Sequence, residues 1–183
     1  TELAMLRRIY NWTFNLAAHK NALLVLAILS FLESSLFPIP PDVMLIPMVL
    51  AARERAWIIA GVCTVASVLG GIAGYGIGVF LLDQIGNPIL RFYNYDVRFL
   101  EFQKVYNDWG AWAVFFAGVT PFPYKVITIL SGATQLDFFI FSIASLFARG
   151  LRFFSISALL YFFGERIREF IEERLGLVFG LFV

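Results

Sequence analysis

Two long stretches of the chain are almost free of charge. Residues 56–82 contain no charged residue, and residues 138–163 contain only Arg149 and Arg152. A helix of about 20 apolar residues is long enough to cross the ~30 Å hydrocarbon core of a bilayer. The pattern therefore predicts transmembrane helices over residues 56–82 and 137–163. The two arginines share one face of the second helix because they lie three residues apart.

Two other apolar regions, residues 21–52 and 111–135, are interrupted by prolines and charges. Neither forms one continuous helix, because each proline removes a backbone donor and clashes with the preceding turn. Two short helices joined by an extended tip satisfy most backbone groups, provided that the tip is buried in protein or faces water. We therefore expect two re-entrant hairpins. Their tips are expected at Pro38, Pro40, Pro121 and Pro123.

The two halves of the chain repeat. A shift of 83 residues places Pro40 on Pro123, and it places Trp57, early in the first span, on Ile140, early in the second. The chain thus consists of two units, each a hairpin followed by a transmembrane span. Because a hairpin returns to its own side and each span crosses, the two hairpins enter from opposite faces. This is an inverted repeat, the arrangement in which many secondary transporters hold a site near the midplane.

Three further segments are amphipathic. Residues 1–20 carry an apolar stripe, and residues 88–110 repeat aromatic side chains at steps of three and four, which is typical of helices at a membrane surface. Residues 165–183 alternate charges around apolar positions, as solvated helix faces do. We expect one all-α integral membrane domain over residues 1–183. The start of the chain lacks the pattern of a cleavable signal peptide.

Basic residues predict the orientation of this domain. The side that holds both termini and the loop at residues 53–55 carries most of the lysines and arginines, whereas the other side has only Arg91, Arg98 and Lys104. The positive-inside rule then places both termini in the cytoplasm.

Composition narrows the function classes. Hydrophobic residues make up 60% of the chain, against about 45–50% in soluble domains, and mean hydropathy is +0.81, so a water-soluble enzyme is nearly excluded. A net charge of +1 gives no support for nucleic-acid binding. Cys63 and His19 are the single cysteine and histidine, so a zinc set is excluded. We expect no catalytic residue, no metal site and no cofactor.

Five charged residues lie inside the apolar regions. They are Glu33, Asp42, Lys125, Arg149 and Arg152. Each costs about 2.5–3.5 kcal/mol on insertion scales when exposed to lipid at mid-depth. One interpretation is structural: the acids pair with the bases and fix the fold. The other is that these residues line a polar cavity between the repeats.

The sum of these charges favours an anionic ligand. Two acids and three bases leave one positive charge, so Lys125, Arg149 and Arg152 are candidates to bind an anion such as phosphate. An acid in such surroundings can also bind and release protons, which makes Glu33 and Asp42 candidates for proton coupling.

The order of these motifs resembles a known family. Glu33, the proline-rich tip and Asp42 are followed by the glycine-rich span, by residues 116–125 and by the Arg149-Gly150-x-Arg152 motif. Together they are similar to the DedA family, and more narrowly to its YqaA-like bacterial branch, within the VTT or SNARE-associated Golgi protein superfamily. The resemblance covers about residues 6–177.

The resemblance implies a multi-pass protein of the bacterial inner membrane with opposed re-entrant hairpins. Relatives are associated with moving phospholipids or undecaprenyl phosphate, and eukaryotic relatives with lipid scrambling. Family acids match Glu33 and Asp42, and family basic positions match Lys125, Arg149 and Arg152. DedA members often carry an arginine three residues before the hairpin proline, where this chain has Gly118.

We therefore expect a flippase- or scramblase-like lipid transporter with membrane lipids and protons as partners. It would move an anionic phospholipid or polyprenyl-phosphate headgroup through the polar cavity. Two alternatives stay open: a proton-coupled carrier of a small ion or solute, and a non-transporting membrane scaffold. The small-xxx-small steps at Gly70, Gly74 and Gly78 permit close packing of helices, either within the chain or in a homo-oligomer.

Overall fold

The computed structural model describes residues 21–35, 40–120 and 122–173, with side chains as far as residue 167. The predicted surface helix at residues 1–20, the tip prolines Pro38 and Pro121, and residues 174–183 lie outside the described residues.

Helices account for nearly all of the described part, and no strand occurs in it, which confirms the all-α prediction. The helices in chain order are α1 (Ala22–Ser35), α2 (Asp42–Ala51), α3 (Ala56–Leu81), α4 (Asn87–Phe92), α5 (Asp96–Val119), α6 (Tyr124–Ala133) and α7 (Phe138–Glu173). A 3₁₀ turn at Arg53–Arg55 precedes α3, and a π-helical turn at Leu82–Gly86 joins α3 to α4.

Two stretches of helix are long and apolar enough to cross a membrane by length and composition. They cover Arg53–Phe92 and Phe138–Ile167. The second helix, α7, continues ten residues past the predicted end at residue 163. Residues 164–173 contain no proline and consist largely of Glu, Arg, Ile and Phe, which a helix accommodates. A change from apolar to charged side chains alters the surroundings of a helix without ending it.

The segment expected to form one surface helix over residues 88–110 differs in the structure. Helix α4 ends at Phe92, and α5 begins at Asp96 and runs on to Val119. Between them Asn94 has a φ of 54°, a left-handed conformation that asparagine tolerates better than most residues. An acid in the first turn, Asp96, then favours the new helix. One helix, α5, thus supplies both part of the amphipathic segment and the helix before the second proline-rich tip. We refer to α1 with α2, and to α5 with α6, which flank the two tips in the chain, as the two helix pairs.

The repeat is visible in the order of the helices. The helices that follow the two proline-rich tips, α2 and α6, begin at Asp42 and Tyr124. The long helices that come next, α3 and α7, begin at Ala56 and Phe138. Both pairs of starts are 82 residues apart (42 to 124 and 56 to 138). Equivalent segments of the two halves therefore fold into equivalent helices.

Helix α3 lies at the centre and packs against α1, α6 and α7. Its glycines allow this packing within the chain. A Cβ added at Gly70 would meet the backbone of Phe31 in α1, and one added at Gly78 would meet the backbone of Ile129 in α6. A side chain at either glycine would push the helices apart.

Two apolar clusters form the core, one toward each end of the helices. The first includes Cys63 of α3 and Phe153 and Leu160 of α7. The second includes Phe141 of α7, with Tyr75 of α3 packed against it. Along both long helices a polar region separates the two clusters. It contains Ser67 of α3 and Arg149 of α7, both fully buried.

Candidate functional site

The guanidinium of Arg149 is the centre of this polar region. Arg149 has 0% relative exposure, and its guanidinium carbon lies 4.7 Å from the ring centroid of Tyr124 and 4.8 Å from that of Phe153. Phe153 is one turn further along α7, and Tyr124 is the first residue of α6. Contact of a desolvated cation with an aromatic ring contributes about 2 kcal/mol. The two rings therefore hold the guanidinium in place between α6 and α7.

A closed ring of hydrogen bonds links Arg149 to α1 and α3. Nη2 of Arg149 donates to Oε2 of Glu33 at 2.7 Å, and Nε donates to Oγ of Ser67 at 2.6 Å. The hydroxyl of Ser34 donates to Oε2 of Glu33 at 3.2 Å and lies 2.6 Å from the hydroxyl of Ser67. A hydroxyl has one proton, so Ser67 is the donor to Ser34. Each group on the path from Arg149 through Ser67 and Ser34 to Glu33 therefore donates to the next one.

A second ion pair lies one turn away on α7. Nη2 of Arg152 donates to Oδ2 of Asp42 at 2.7 Å, and Nη1 donates to the carbonyl oxygen of Thr120 at 3.1 Å. Asp42 is the first residue of α2, where the helix dipole favours a negative charge. Thr120 ends α5. Arg152 therefore connects the tip regions of the two helix pairs.

Two buried atoms of the site have no hydrogen-bond partner within the described residues. They are Nη1 of Arg149 and Oδ1 of Asp42. A buried group of this kind costs about 1–3 kcal/mol, and more when it is charged. One atom is a donor and the other an acceptor. The site can therefore hold a polar guest that accepts a hydrogen bond from Arg149, donates one to Asp42, or does both.

The structure brings together four of the five charged residues predicted from the sequence. Glu33, Asp42, Arg149 and Arg152 form the two ion pairs. Lys125, the second residue of α6, is half-buried and makes no ion pair with any described residue. Two of the three bases are thus paired with acids.

The two tip prolines that the structure describes lie at the entry to the second arms. Pro123 immediately precedes α6, Pro40 lies two residues before α2, and both are exposed. An exposed proline at a helix start leaves no buried donor unsatisfied.

Sequence reasoning missed the hydroxyls that surround the charges. Besides Ser34 and Ser67, the hydroxyl of Thr128 donates to the carbonyl oxygen of Ser34 at 3.2 Å, and Tyr124 donates to Ser145 at 2.5 Å. The signal in the sequence that could have identified these hydroxyls is a polar residue inside an apolar helix. Single serines and threonines are tolerated in such helices, because they can also bond to the backbone of their own turn, so this signal is weak.

The position of Gly118 has a physical explanation. A Cβ added there would lie 2.6 Å from Cβ of Ala148 and 3.7 Å from Cδ of Arg149. The space that a long basic side chain would need is occupied by α7.

Outside this site, the α5–α6 contact is also polar. The hydroxyls of Tyr106 and Ser131 lie 2.9 Å apart, and burial raises the pKa of Tyr106 while the bond to Ser131 lowers it less. Within the described ranges no group of three or more His, Cys, Asp or Glu side chains could hold a metal ion.

Comparison with known proteins gives two similar bacterial chains. An uncharacterized protein of Haemophilus influenzae is 36% identical over 169 residues, which cover 92% of this chain and 88% of that protein. An uncharacterized protein of Histophilus somni is 36% identical over 170 residues, covering 93% and 88%. The chain belongs to their family. No family profile matches the sequence, and no solved structure matches it.

Proposed function

We propose that the chain is a multi-pass protein of the bacterial inner membrane. The long apolar helices support this, and so do the large apolar side chains on the outside of α3 and α7. Val65 and Leu69 are more than half exposed, as are Phe147 and Phe162. Apolar surface spread over both long helices is unfavourable in water and matches the hydrocarbon of a bilayer.

The proposed orientation places both termini in the cytoplasm. Nη2 of Arg53, before α3, lies 3.7 Å from Oε1 of Glu165, near the end of α7. This contact supports the assignment of the residue 53–55 loop and the C-terminal part of α7 to one side. The positive-inside rule makes that side cytoplasmic.

The two ion pairs are proposed to lie near mid-depth. Arg149 follows the start of α7 by 11 residues, a rise of ~17 Å. Half the hydrocarbon thickness is ~15 Å. The apolar clusters on either side of Arg149 extend toward the two surfaces. In this placement the two helix pairs are the opposed re-entrant hairpins of an inverted repeat.

In this membrane the chain acts as a lipid transporter for an anionic headgroup, either a phospholipid or a polyprenyl phosphate. The observation that carries this proposal is the free Nη1 of Arg149, a buried cationic donor without a partner in the described residues. A phosphate oxygen is a strong acceptor for such a donor. The resemblance to the DedA family points to the same class of substrate.

Glu33 and Asp42 are the proposed proton-coupling residues. When Glu33 binds a proton, its ion pair with Arg149 is lost and Nη2 becomes a second donor for a phosphate. The pair Nη1 and Nη2 can then bind the phosphate in bidentate fashion. Release of the proton restores the ion pair and favours departure of the headgroup.

The pairing itself favours a second candidate, a non-transporting scaffold. Two complete ion pairs that join the halves of the chain are what a structural role requires. A proton-coupled carrier of a small solute uses the same site, and it differs from a lipid transporter in moving solute with no lipid.

The test is transport by purified protein in vesicles that contain a fluorescent phospholipid or polyprenyl phosphate. A membrane-impermeant reductant quenches label in the outer leaflet, so transport increases the quenched fraction. We expect transport by the wild type, reduced transport by Arg149→Lys, and unchanged transport by Arg166→Gln, whose side chain is exposed at the end of α7. Unchanged lipid distribution with the wild type would contradict lipid transport, and solute flux in its place would favour the carrier.

A further inference from the structure

Hydroxyl groups line one buried face of α6. Thr128 and Ser131 lie three residues apart, so they share this face, and both are fully buried. The hydroxyl of Thr128 donates to the carbonyl oxygen of Ser34 at 3.2 Å, and the hydroxyl of Ser34 donates to Glu33. At the other end, the hydroxyls of Ser131 and Tyr106 lie 2.9 Å apart. This hydroxyl row, which consists of Thr128, Ser131 and Tyr106, therefore connects the surroundings of Glu33 with α5.

The far end of the hydroxyl row reaches the surface of the protein. Tyr106 is half-buried, and Lys104 and Asp108 on either side of it are exposed. In the proposed orientation Lys104 marks the outer, non-cytoplasmic side. Helix α6 has ten residues, a rise of ~15 Å, which equals half of the ~30 Å hydrocarbon core. The row therefore extends from the proposed mid-depth position of Glu33 toward the outer surface.

The corresponding face of the first half is apolar. Helices α2 and α6 begin 82 residues apart (42 to 124), so Thr128 and Ser131 correspond to Ile46 and Val49. The residues that correspond to the α5 end of the row, 22–24, are alanine and leucine. None of these apolar side chains can donate or accept a hydrogen bond. Two halves with equivalent helices thus differ in the polarity of this face.

Buried hydroxyls on the cytoplasmic side of Arg149 are isolated from one another. The hydroxyl of Thr64 donates to the backbone of its own helix. The hydroxyls of Ser30 and Ser157 form no hydrogen bond with another hydroxyl of the described residues. A proton passes along hydroxyls only where one can donate to the next. Apart from the ring at Arg149, the linked hydroxyls of the described residues therefore lie on the outer side of the ion pair.

Water completes the hydroxyl row where direct bonds are lacking. No hydrogen bond joins the hydroxyl of Thr128 to that of Ser131 or of Ser34. Unpartnered buried atoms lie near both ends of the row within the described residues, namely Nη1 of Arg149 and Oδ1 of Asn107. Buried waters bind to such atoms, typically with two to four polar partners. Hydroxyls and waters both accept one proton while they donate another, as in the proton relays of pumps and transporters.

Several titratable or charged groups interact electrostatically with the Arg149–Glu33 pair. They are Asp42 of α2, Cys63 of α3, Tyr124 of α6 and Arg152 of α7. Asp42 and Arg152 are paired with each other, and Tyr124 donates to Ser145. The Cys63 thiol is fully buried on α3. The hydroxyl row is therefore the polar route that leads from the pair to a surface.

We propose that the hydroxyl row carries protons between the outer surface and Glu33. The proposal rests on the proposed proton coupling at Glu33 and adds the side from which the proton comes. Each hydroxyl oxygen accepts one proton and gives up the one it holds, so one proton leaves the outer water and one reaches the carboxylate of Glu33. The apolar counterparts Ile46 and Val49 offer no such route to the cytoplasm. Proton exchange is therefore one-sided in this conformation.

The test is time-resolved infrared spectroscopy of protein inserted in one orientation in vesicles. A flash releases protons from a membrane-impermeant photolabile acid on one face of the vesicle. The carboxylic acid C=O band of Glu33, identified by its loss in Glu33→Gln, reports the arrival of the proton. We expect this band to appear faster after release on the outer face than after release on the cytoplasmic face. Equal rates from the two faces, a faster rate from the cytoplasmic face, or no band at all would overturn the proposal.

Removal of single hydroxyls gives a second measurement. Tyr106→Phe and Ser131→Ala should each slow the band about tenfold after release on the outer face, which corresponds to a barrier higher by ~1.4 kcal/mol. Tyr75→Phe is the matched control, because this hydroxyl donates to the carbonyl oxygen of Leu136 and lies outside the row. It should keep the wild-type rate. Wild-type rates in both row variants, or the same slowing in the control, would contradict the proposal.

These results separate the proton route from lipid transport. One-sided protonation of Glu33 without lipid movement would retain the route and contradict lipid transport. Lipid movement without the band, or with a band that appears equally fast from both faces, would retain transport and overturn the route.

Discussion

Arg149 and Glu33 form an ion pair between the last long helix and the first helix, with 2.7 Å between Nη2 and Oε2. Arg149 is buried and held between two aromatic rings, whereas Glu33 is 16% exposed through its side chain. Removal of one partner would leave the other buried charge uncompensated, which costs about 3–5 kcal/mol. Arg149→Ala therefore changes stability as well as any transport, and the milder Arg149→Lys, which keeps the charge, is the better probe of function.

The ion pair of Asp42 with Arg152 should show measurable energetic coupling. In a double-mutant cycle with Asp42→Asn and Arg152→Gln, we expect a coupling of about 1–3 kcal/mol in unfolding experiments in detergent. The same cycle for the more exposed pair Arg53 and Glu165 should give less than about 1 kcal/mol. Equal coupling in the two cycles would contradict the buried geometry.

A charge swap separates the structural role of this pair from a functional one. The structure pairs Asp42 with Arg152 and not with Lys125, so the informative swap is Asp42→Arg together with Arg152→Asp. A purely structural pair predicts that stability and cellular function are both recovered relative to the single variants. Recovery of stability alone would favour a role for these side chains in the transport site.

Ser67→Ala should destabilise the protein although it removes a single oxygen. The substitution leaves Nε of Arg149 buried without an acceptor and deprives Ser34 of a donor. We expect a loss of about 1–3 kcal/mol, measured as a lower unfolding midpoint in detergent. Ser155→Ala, at an exposed position of α7, should stay within about 0.5 kcal/mol of the wild type. A wild-type midpoint for Ser67→Ala would show that the ring of hydrogen bonds does not form.

Gly132→Ala tests the close packing of α3 on α6. A Cβ at Gly132 would meet the backbone carbonyl of Tyr75, which cannot move without shifting α3. We expect a loss of about 1–3 kcal/mol from this overpacking. Gly76→Ala is the matched control, because no atom outside the adjoining backbone of its own helix lies within 4 Å of the added Cβ. Alanine should raise stability there by up to about 1 kcal/mol through its helix propensity, and the same loss in both variants would exclude packing as the cause.

Lys125→Gln should leave stability nearly unchanged, because the ammonium makes no ion pair with any described residue. If Lys125 supplies the surplus positive charge for an anionic headgroup, the variant lowers transport in vesicles while its unfolding midpoint stays that of the wild type. Lys125→Arg keeps the charge and should retain most of the transport. Full activity of Lys125→Gln would remove this residue from the binding site.

The positions of the long helices could be predicted from the sequence, but the end of α7 and the break before α5 could not. Both runs are long, free of proline and almost free of charge, which favours a continuous helix. In contrast, the helix end depends on what surrounds residues 164–173, and the break depends on one left-handed residue, Asn94. Neither the end of α7 nor the break at Asn94 alters the pattern of apolar and polar positions, and helices are predicted from that pattern.

The sequence by itself determined that this chain forms apolar helices in two similar halves and that five charges are placed among them. Only the tertiary structure decided which acid meets which base, that Ser67 and Ser34 complete a ring with Arg149, and that Lys125 stands apart from both pairs. Periodicity reports the faces of a single helix, whereas ion pairs join residues that are 110 or more positions apart. Which acid meets which base depends on which helices approach each other at Gly70 and Gly78. The sequence indicates that these glycines allow close packing, but it does not identify the helices that pack there.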